Sequence, residues 1–218
     1  MNTTEHAKLR LTLRAMILGL ATSDPRYYQT IAAFDYAEKH HTGLRKDGVT
    51  PEFNHQLNIL GFLVTQINNI KKPWLVLTVV LLHDTLEDNN HLEDEIIAKF
   101  PEAYVYVNRI SKVRRGVKLT NQEYYPPMAE CEICSVAKGT DRLHNLTTMI
   151  GVMTTKKLEE SVKETEDFVM VMLKDARKAT PEQTAIYELL KSLINVLLNN
   201  IKQFIEVSKK LEKMQQPI

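Results

Sequence analysis

The 218-residue chain is poor in cysteine, glycine and proline, with two Cys, seven Gly and eight Pro. Two cysteines, Cys131 and Cys134, are too few for a disulfide scaffold, and a structural zinc site needs four ligands. We therefore predict that both are reduced cysteines packed on a helix. The small number of Gly and Pro residues is typical of a globular protein and excludes a fibrous or low-complexity chain.

The chain also lacks an excess of charge of either sign. It has 28 basic and 27 acidic residues, which leave a formal net charge of +1. Binding to duplex nucleic acid without sequence preference requires many Lys and Arg residues that displace counterions from phosphates. We therefore expect no duplex nucleic acid as a partner. A local basic pocket for one small phosphorylated ligand remains compatible with this balance.

Long uncharged runs are absent as well. The apolar stretch from Leu9 to Ala21 is interrupted by Arg10 and Arg14 at helical spacing. No window reaches the roughly 20 uncharged residues that a membrane span requires. We predict a buried amphipathic helix here rather than a signal peptide, no membrane partner and a cytoplasmic location.

Helical periodicity is what the sequence has in abundance. Apolar residues recur at three- and four-residue spacing along almost every long segment, with little of the alternation typical of strands. The prediction is an all-α helical bundle that forms a single domain over residues 1–218, with a core at about 27–178 and a C-terminal helical extension at 181–214. This last helix is long enough to pair with a second subunit, so a homo-oligomer is possible.

Proline and capping residues predict where the helices begin. The segment 74–87, which follows Pro73, is apolar on all sides in its first half and should therefore lie in the middle of the core. Gly116, Pro126 and Pro127 predict a loop over 114–127. The other predicted helices span about 25–41, 51–68, 91–100, 103–113, 128–153, 157–178 and 181–214.

A His-Asp pair stands at the end of the most apolar helix. His83 and Asp84 are costly to bury unless a partner satisfies them, and a metal ion would satisfy both. Glu87 lies four residues after His83 and so projects from the same face of the helix. A carboxylate beside a metal-bound water can orient that water or take its proton.

Two further segments supply candidate ligands, His55 in the preceding helix and Asp141 in a later one. Two imidazoles and two carboxylates from three helices would make a four-ligand site with room for water and substrate. This donor set suits a divalent ion such as Mn²⁺, Fe²⁺, Co²⁺ or Zn²⁺, and the absence of thiolates nearby argues against a closed structural zinc site.

Three motifs in this order resemble the (p)ppGpp hydrolase domains of RelA/SpoT-type proteins, members of the HD superfamily. Residues 37–48 read AEKHHTGLRKDG and precede His55 by seven residues, similar to the family's Arg-Lys-x-Gly-(x)n-His opening. Residues 81–89 read LLHDTLEDN, similar to its His-Asp motif, and residues 141–146 read DRLHNL, similar to its Asp-Arg-Leu-His-Asn-Met motif. The resemblance covers residues 27–178 and implies an HD-domain helical bundle.

The resemblance also implies roles for individual residues. His55, His83, Asp84 and Asp141 would bind a Mn²⁺-like ion, and the acidic pair Glu87 and Asp88 would position or activate the attacking water. Arg45 and Lys46 would contact the nucleotide, and Asn145 its sugar. The implied reaction removes the 3′-pyrophosphate of guanosine tetra- or pentaphosphate, an alarmone, and the chain would be a stand-alone hydrolase.

The chain departs from the family pattern at several positions around the motifs. Gln56 stands where the family usually has Pro, residues 138–140 read KGT where the family favours Lys-Leu-Ala, and Thr147 replaces a common Arg. These positions border the expected pocket and bear on the substrate. Outside the motifs, His40, His41 and His91 are predicted to be ordinary surface or helix-end histidines. The pair Tyr124 and Tyr125 is predicted to serve packing.

Two other functions remain open at this point. One is a phosphohydrolase of the same superfamily that acts on another nucleotide, such as a deoxynucleoside triphosphate, a cyclic nucleotide or NADPH. The other is a non-catalytic nucleotide-binding regulator that keeps the fold. A substrate panel distinguishes the first from alarmone hydrolysis, and metal binding without turnover would indicate the second.

Overall fold

The helix that carries the His-Asp pair, α4 (Pro73–Asp88), lies at the centre of the fold. The computed structural model describes residues 3–114 and 116–214, with the backbone alone for residues 3, 4, 87, 88 and 90. Pro73 occupies the first turn of α4, where its missing N–H has no helical partner to lose. The side chains from Leu75 to Leu82 are all buried, as predicted for a helix that is apolar on every side.

The first half of the chain surrounds α4 with five helices. α4 packs against α2 and α6 and, at the site described below, against α3. α1 packs on α2 and α3 through the buried Leu13 and Ile17, while Arg10 and Arg14 form ion pairs with α2. The predicted helix is present, but it is only partly buried, because Leu11, Met16 and Leu18 are exposed. The five helices are α1 (Thr3–Ser23), α2 (Tyr27–His40), α3 (Asn54–Val64), α5 (Glu93–Lys99) and α6 (Pro101–Ile110).

The predicted loop at 114–127 contains regular structure, and the prediction was wrong in this respect. Two short antiparallel strands, β1 (Val113–Arg114) and β2 (Val117–Lys118), form a hairpin whose turn uses the positive φ of Gly116. Thr120 then caps α7 (Asn121–Tyr124) in a reciprocal arrangement with Glu123. That capping box is readable from the Thr-x-x-Glu spacing, but helices this short carry no apolar periodicity.

The second half of the chain consists of α8 (Pro126–Ala129), α9 (Glu132–Thr148), α10 (Thr155–Glu164), α11 (Met170–Ala179) and α12 (Thr184–Met214). The helix predicted over 128–153 divides at Cys131, whose side chain caps α9. Residues Thr165–Val169 form a π-helical turn that joins α10 to α11. The all-α bundle with a long C-terminal helix is thus confirmed, and Cys131 and Cys134 are free and buried, as expected.

Close packing explains one of the departures from the family pattern. A Cβ atom on Gly139 of α9 would lie 2.8 Å from a methyl carbon of Leu173 and 3.1 Å from one of Leu190. The glycine therefore allows α11 and α12 to approach α9 at this point, and a leucine there would require both neighbours to move. Within 3–114 and 116–214, no helix has the length and apolarity needed to cross a membrane.

Candidate metal centre

Helices α3, α4 and α9 bring the four predicted metal ligands together. His55 comes from α3, the adjacent His83 and Asp84 from α4, and Asp141 from α9. The His55, His83 and Asp141 side chains are almost completely buried, whereas that of Asp84 is 30% exposed. His55, Asp84 and Asp141 line a cleft of about 1280 Å³, a volume sufficient for a nucleotide.

The imidazole nitrogens and carboxylate oxygens of this cluster lie close to one another around one point. His55 Nε2 lies 3.1 Å from Asp141 Oδ1 and 3.6 Å from Asp84 Oδ2. His83 Nε2 lies 3.0 Å from Asp84 Oδ1 and 3.6 Å from Asp141 Oδ1. Both imidazoles therefore turn the same nitrogen, Nε2, towards the two carboxylates.

The hydrogen bonds of His83 leave its Nε2 without a conventional partner. Its Nδ1–H donates to the carbonyl oxygen of Val80 at 2.7 Å, so in the neutral ring Nε2 carries a lone pair. Within residues whose side chains are described, this buried nitrogen has no hydrogen-bond partner, although Asp84 Oδ1 lies 3.0 Å from it. A lone pair that faces carboxylate oxygens is repulsive unless a cation lies between them. A positive charge beside Nε2 would therefore remove this repulsion.

His55 is oriented by a second histidine in the same way. Its Nδ1 lies 2.7 Å from Nδ1 of His144, and a proton must lie between the two nitrogens. Burial lowers the pKa of His144 to about 3, so His144 is neutral and can accept that proton from His55. The Nε2 atom of His55 is then free to act as a ligand, which gives His144 the orienting role that metal-bound histidines usually require.

Asp141 is held as an anion by α9 itself. Its Oδ2 accepts a hydrogen bond from Lys138 Nζ at 2.7 Å, and its Oδ1 accepts one from Asn145 Nδ2 at 2.7 Å. Burial opposes ionisation, but the charge of Lys138 outweighs it and holds the pKa of Asp141 well below its usual range. Because residues 138, 141 and 145 are three and four apart, they share one face of the helix.

The same competition between burial and charge acts on the α4 pair. Burial disfavours the imidazolium form of His83, but Asp84 and Asp141 outweigh this effect and raise the pKa of His83 well above its usual value. Burial likewise opposes ionisation of Asp84, and the charge of His83 outweighs it and lowers the pKa of Asp84. Both shifts have the same cause, because the two carboxylates favour a positive charge at His83, which a bound ion would also supply.

The donor set fits a divalent metal ion. The ligand atoms of His55, His83 and Asp84 all lie within 4.8 Å of one another, so this buried group could hold an ion. Asp141 is not part of that tight group, but its Oδ1 lies 3.1 Å from His55 Nε2 and 3.6 Å from His83 Nε2. Imidazole nitrogens with carboxylate oxygens suit borderline ions from Mn²⁺ to Zn²⁺.

The predicted substrate residues lie at the edge of the cluster. Arg45 Nη2 donates to Asn145 Oδ1 at 3.3 Å, and Asn145 in turn contacts Asp141. Lys46 is exposed and lines the same cleft, but makes no contact with the cluster among the described side chains. The predicted catalytic acids Glu87 and Asp88 belong to the last turn of α4, and their side chains lie outside the described part of the structure.

A clamp of buried charges fixes the part of α9 that follows Asp141. Arg142 Nη2 donates to Glu164 Oε2 and to the Tyr125 hydroxyl, each at 3.0 Å, and Lys112 Nζ donates to Glu164 Oε1 at 2.6 Å. Burial alone would raise the pKa of Glu164, but Arg142 and Lys112 outweigh it and lower that pKa to about 2. This clamp connects α9 to the end of α10. It also gives Tyr125 the packing role that was predicted.

Glu164→Gln should therefore lower the stability of the protein in a pH-dependent way. The folded-state pKa of about 2 lies below the usual value of 4.5, so the stabilisation of about 3 kcal/mol is fully present above pH 4.5 and is lost as the pH falls towards 2. Urea unfolding of both proteins at pH 7, 4 and 3 measures the difference. A difference that does not shrink on acidification would contradict this assignment.

Sequence reasoning missed a buried polar group behind the cluster. His41 was predicted to be a surface or helix-end histidine, but its side chain is buried, and burial lowers its pKa to about 4. Its neighbour Gln56 is completely buried as well. The one available signal was the replacement of the family's Pro by Gln56, because a buried amide needs partners that a proline does not.

No protein-family model matches this sequence, and no curated protein matches it either. The resemblance to HD hydrolases is therefore based on the three sequence motifs.

Proposed function

We propose that this protein is a metal-dependent phosphohydrolase that removes the 3′-pyrophosphate of guanosine tetra- or pentaphosphate. The observation that carries the proposal is the buried Nε2 of His83, which faces two carboxylates and has no hydrogen-bond partner in the described part of the structure, while Nδ1 of the same ring bonds to Val80. Together with His55, it forms a site where a cation would relieve the repulsion between imidazole lone pairs and carboxylate oxygens.

His55, His83 and Asp84, together with Asp141, would hold the ion, for which we propose Mn²⁺. Such an ion, when bound, lowers the pKa of a water molecule and neutralises charge on phosphoryl oxygens. The rest of the site prepares its ligands. Val80 and His144 set which nitrogen each histidine presents, and Lys138 keeps Asp141 ionised.

The residues around the ligands suit a phosphorylated nucleotide. Arg45, held beside Asn145, presents a planar guanidinium that can stack on a base or bind a phosphate. Lys46 adds a second positive charge at the cleft, and Asn145 offers amide contacts to a sugar hydroxyl. Glu87 and Asp88 would orient the attacking water, the role that their positions one turn after His83 and Asp84 suggest.

A substrate panel tests this proposal. The wild-type protein with added Mn²⁺ is incubated with ppGpp, pppGpp, NADPH, deoxynucleoside triphosphates and cyclic nucleotides, and released phosphate and pyrophosphate are measured. We expect pyrophosphate from ppGpp and pppGpp. Release only from another nucleotide would keep the metal centre and overturn the substrate, and ion binding without any turnover would favour a non-catalytic nucleotide-binding regulator.

We further propose that α12 pairs with α12 of a second copy of the chain. Its buried side chains face the bundle, while another face carries apolar residues at the seven-residue repeat of a coiled coil, most of them exposed and one, Leu197, partly buried against the core. Asn200 interrupts this seam, and a single polar residue in a seam is a common device for fixing the register of two identical helices. The seam consists of Leu193, Leu197, Asn200, Phe204, Val207, Leu211 and Met214.

Phe204→Glu tests this pairing because it introduces a charge at the middle of the seam. We expect a dimer for the wild type and a monomer for Phe204→Glu in sedimentation equilibrium. Asn195→Glu, an exposed change on the same helix away from the seam, should leave the dimer intact. A monomeric wild type at concentrations of about 100 µM, far above the Kd of a specific interface, would contradict the proposal.

A further inference from the structure

The amide of Gln56 lies directly behind the carboxylate of Asp84. Its Nε2 is 3.3 Å from Asp84 Oδ2 and 3.5 Å from His41 Nε2, so each of its two N–H groups faces an acceptor. The opposite orientation of the amide would place its oxygen against the ionised Asp84. The position of Asp84 therefore determines how Gln56 is oriented.

The carbonyl oxygen of Gln56 is buried and has no hydrogen-bond partner among the described side chains and backbone. An unsatisfied buried acceptor costs about 1–3 kcal/mol, and structures retain such groups where another role offsets the cost. In Gln56, the role that offsets this cost is the donation of both N–H groups, one of them to the candidate metal ligand Asp84. A side chain that served packing alone would gain stability from an apolar replacement.

His41 supports Gln56 from behind. If His41 Nε2 accepts from Gln56, it can also accept from the Thr85 hydroxyl at 3.0 Å, and the ring proton then lies on Nδ1. Nδ1 faces Glu52 Oε2 at 3.9 Å, and Glu52 lines the cleft. A chain of polar groups thus runs from Glu52 through His41 and Gln56 to Asp84.

From this geometry we infer that Gln56 is a positioning residue for the metal centre, with His41 as its support. Gln56 holds Oδ2 of Asp84, so that Oδ1 is directed to the position beside His83 Nε2. As a neutral donor, it orients the carboxylate without removing its charge. This inference rests on the proposed function, because it concerns the ion that the cluster would bind.

Gln56→Met tests the inference, since methionine keeps the length of the side chain and loses both N–H groups. We expect Mn²⁺ to bind about 10- to 100-fold more weakly by isothermal titration, the usual cost of losing a group that orients a metal ligand. The unfolding temperature of the metal-free protein should change little, because methionine also removes the unsatisfied carbonyl oxygen.

Gln183→Met is the matched control. Gln183 is also completely buried, but its amide bonds to Lys71, Glu132 and Tyr187, away from the cluster. This change should lower the unfolding temperature and leave Mn²⁺ affinity unaltered. We thus expect Gln56→Met to change Mn²⁺ affinity but not the unfolding temperature, and Gln183→Met to do the reverse. This contrast separates a positioning role from a structural one.

Unchanged Mn²⁺ affinity in Gln56→Met would overturn the inference and leave the proposed function standing. Absence of Mn²⁺ binding by the wild type would overturn both. If Gln56→Met fails to fold, Gln56→Asn provides the same test, because its amide is one methylene too short to reach Asp84. Wild-type affinity in Gln56→Asn would likewise contradict the inference.

Discussion

Replacement of Asp84 by alanine is expected to lower Mn²⁺-dependent nucleotide hydrolysis by at least about 10³-fold, more than the 10- to 100-fold that the loss of an outer partner of a metal site causes. The change removes a carboxylate that is a candidate metal ligand, and the Nε2 atoms of His55 and His83 lose their contact with it. Initial rates of pyrophosphate release from ppGpp, at saturating Mn²⁺ for the wild type, measure the effect.

Asp35→Ala provides the control for this loss. Asp35 is an exposed acid on α2 that pairs with Arg14, so its removal changes the net charge equally without touching the cluster. Its activity should remain close to that of the wild type. Activity of Asp84→Ala within a factor of about 10 of the wild type would exclude Asp84 as a metal ligand, since even an orienting group contributes that much.

Lys138→Met should lower the stability of the metal-free protein by about 3 kcal/mol at neutral pH. Lys138 and Asp141 form a buried ion pair at 2.7 Å, and removal of one partner leaves the other charge uncompensated. Added Mn²⁺ should restore part of the loss, because an ion beside Asp141 supplies positive charge to the same carboxylate. Urea unfolding with and without Mn²⁺ measures both effects.

The comparison for Lys138 is Lys191→Met on α12. Lys191 also pairs with an acid three residues away on its own helix, Glu188 at 3.1 Å, but that acid is largely exposed. The expected loss is below about 1 kcal/mol, as for most surface pairs, and Mn²⁺ should not alter it. Equal losses for the two variants would mean that Lys138 does not compensate a buried charge.

Apolar periodicity alone was sufficient to predict the helical bundle, because a core helix and its neighbours repeat the same three- and four-residue spacing. The continuous apolar run before His83 predicted correctly that α4 lies at the centre. The hairpin at 113–118 and the division between α8 and α9 were missed. The strands of the hairpin and helix α8 are only two to four residues long, too short to show apolar periodicity. The turn of the hairpin depends on one glycine, and the start of α9 depends on one capping side chain.

The sequence predicted which four side chains would come together at the candidate site and no further. The motifs predicted that His55, His83, Asp84 and Asp141 would come together, and the structure places them around one point. The groups behind them were missed, with Gln56 as the one signal in the sequence. His41 lies 44 residues before its partner Thr85 in the sequence, and such a contact follows from how α2 packs on α4 rather than from any local spacing.

Titration of the purified, metal-free protein with Mn²⁺ tests the central claim most directly, with the paramagnetic signal of the free ion as the readout. The cluster of two histidines and two aspartates predicts one bound ion per chain, with binding lost in His83→Ala. Absence of saturable binding at millimolar Mn²⁺, or a bound ion that His83→Ala retains with the same affinity, would contradict the metal centre and with it the proposed hydrolase.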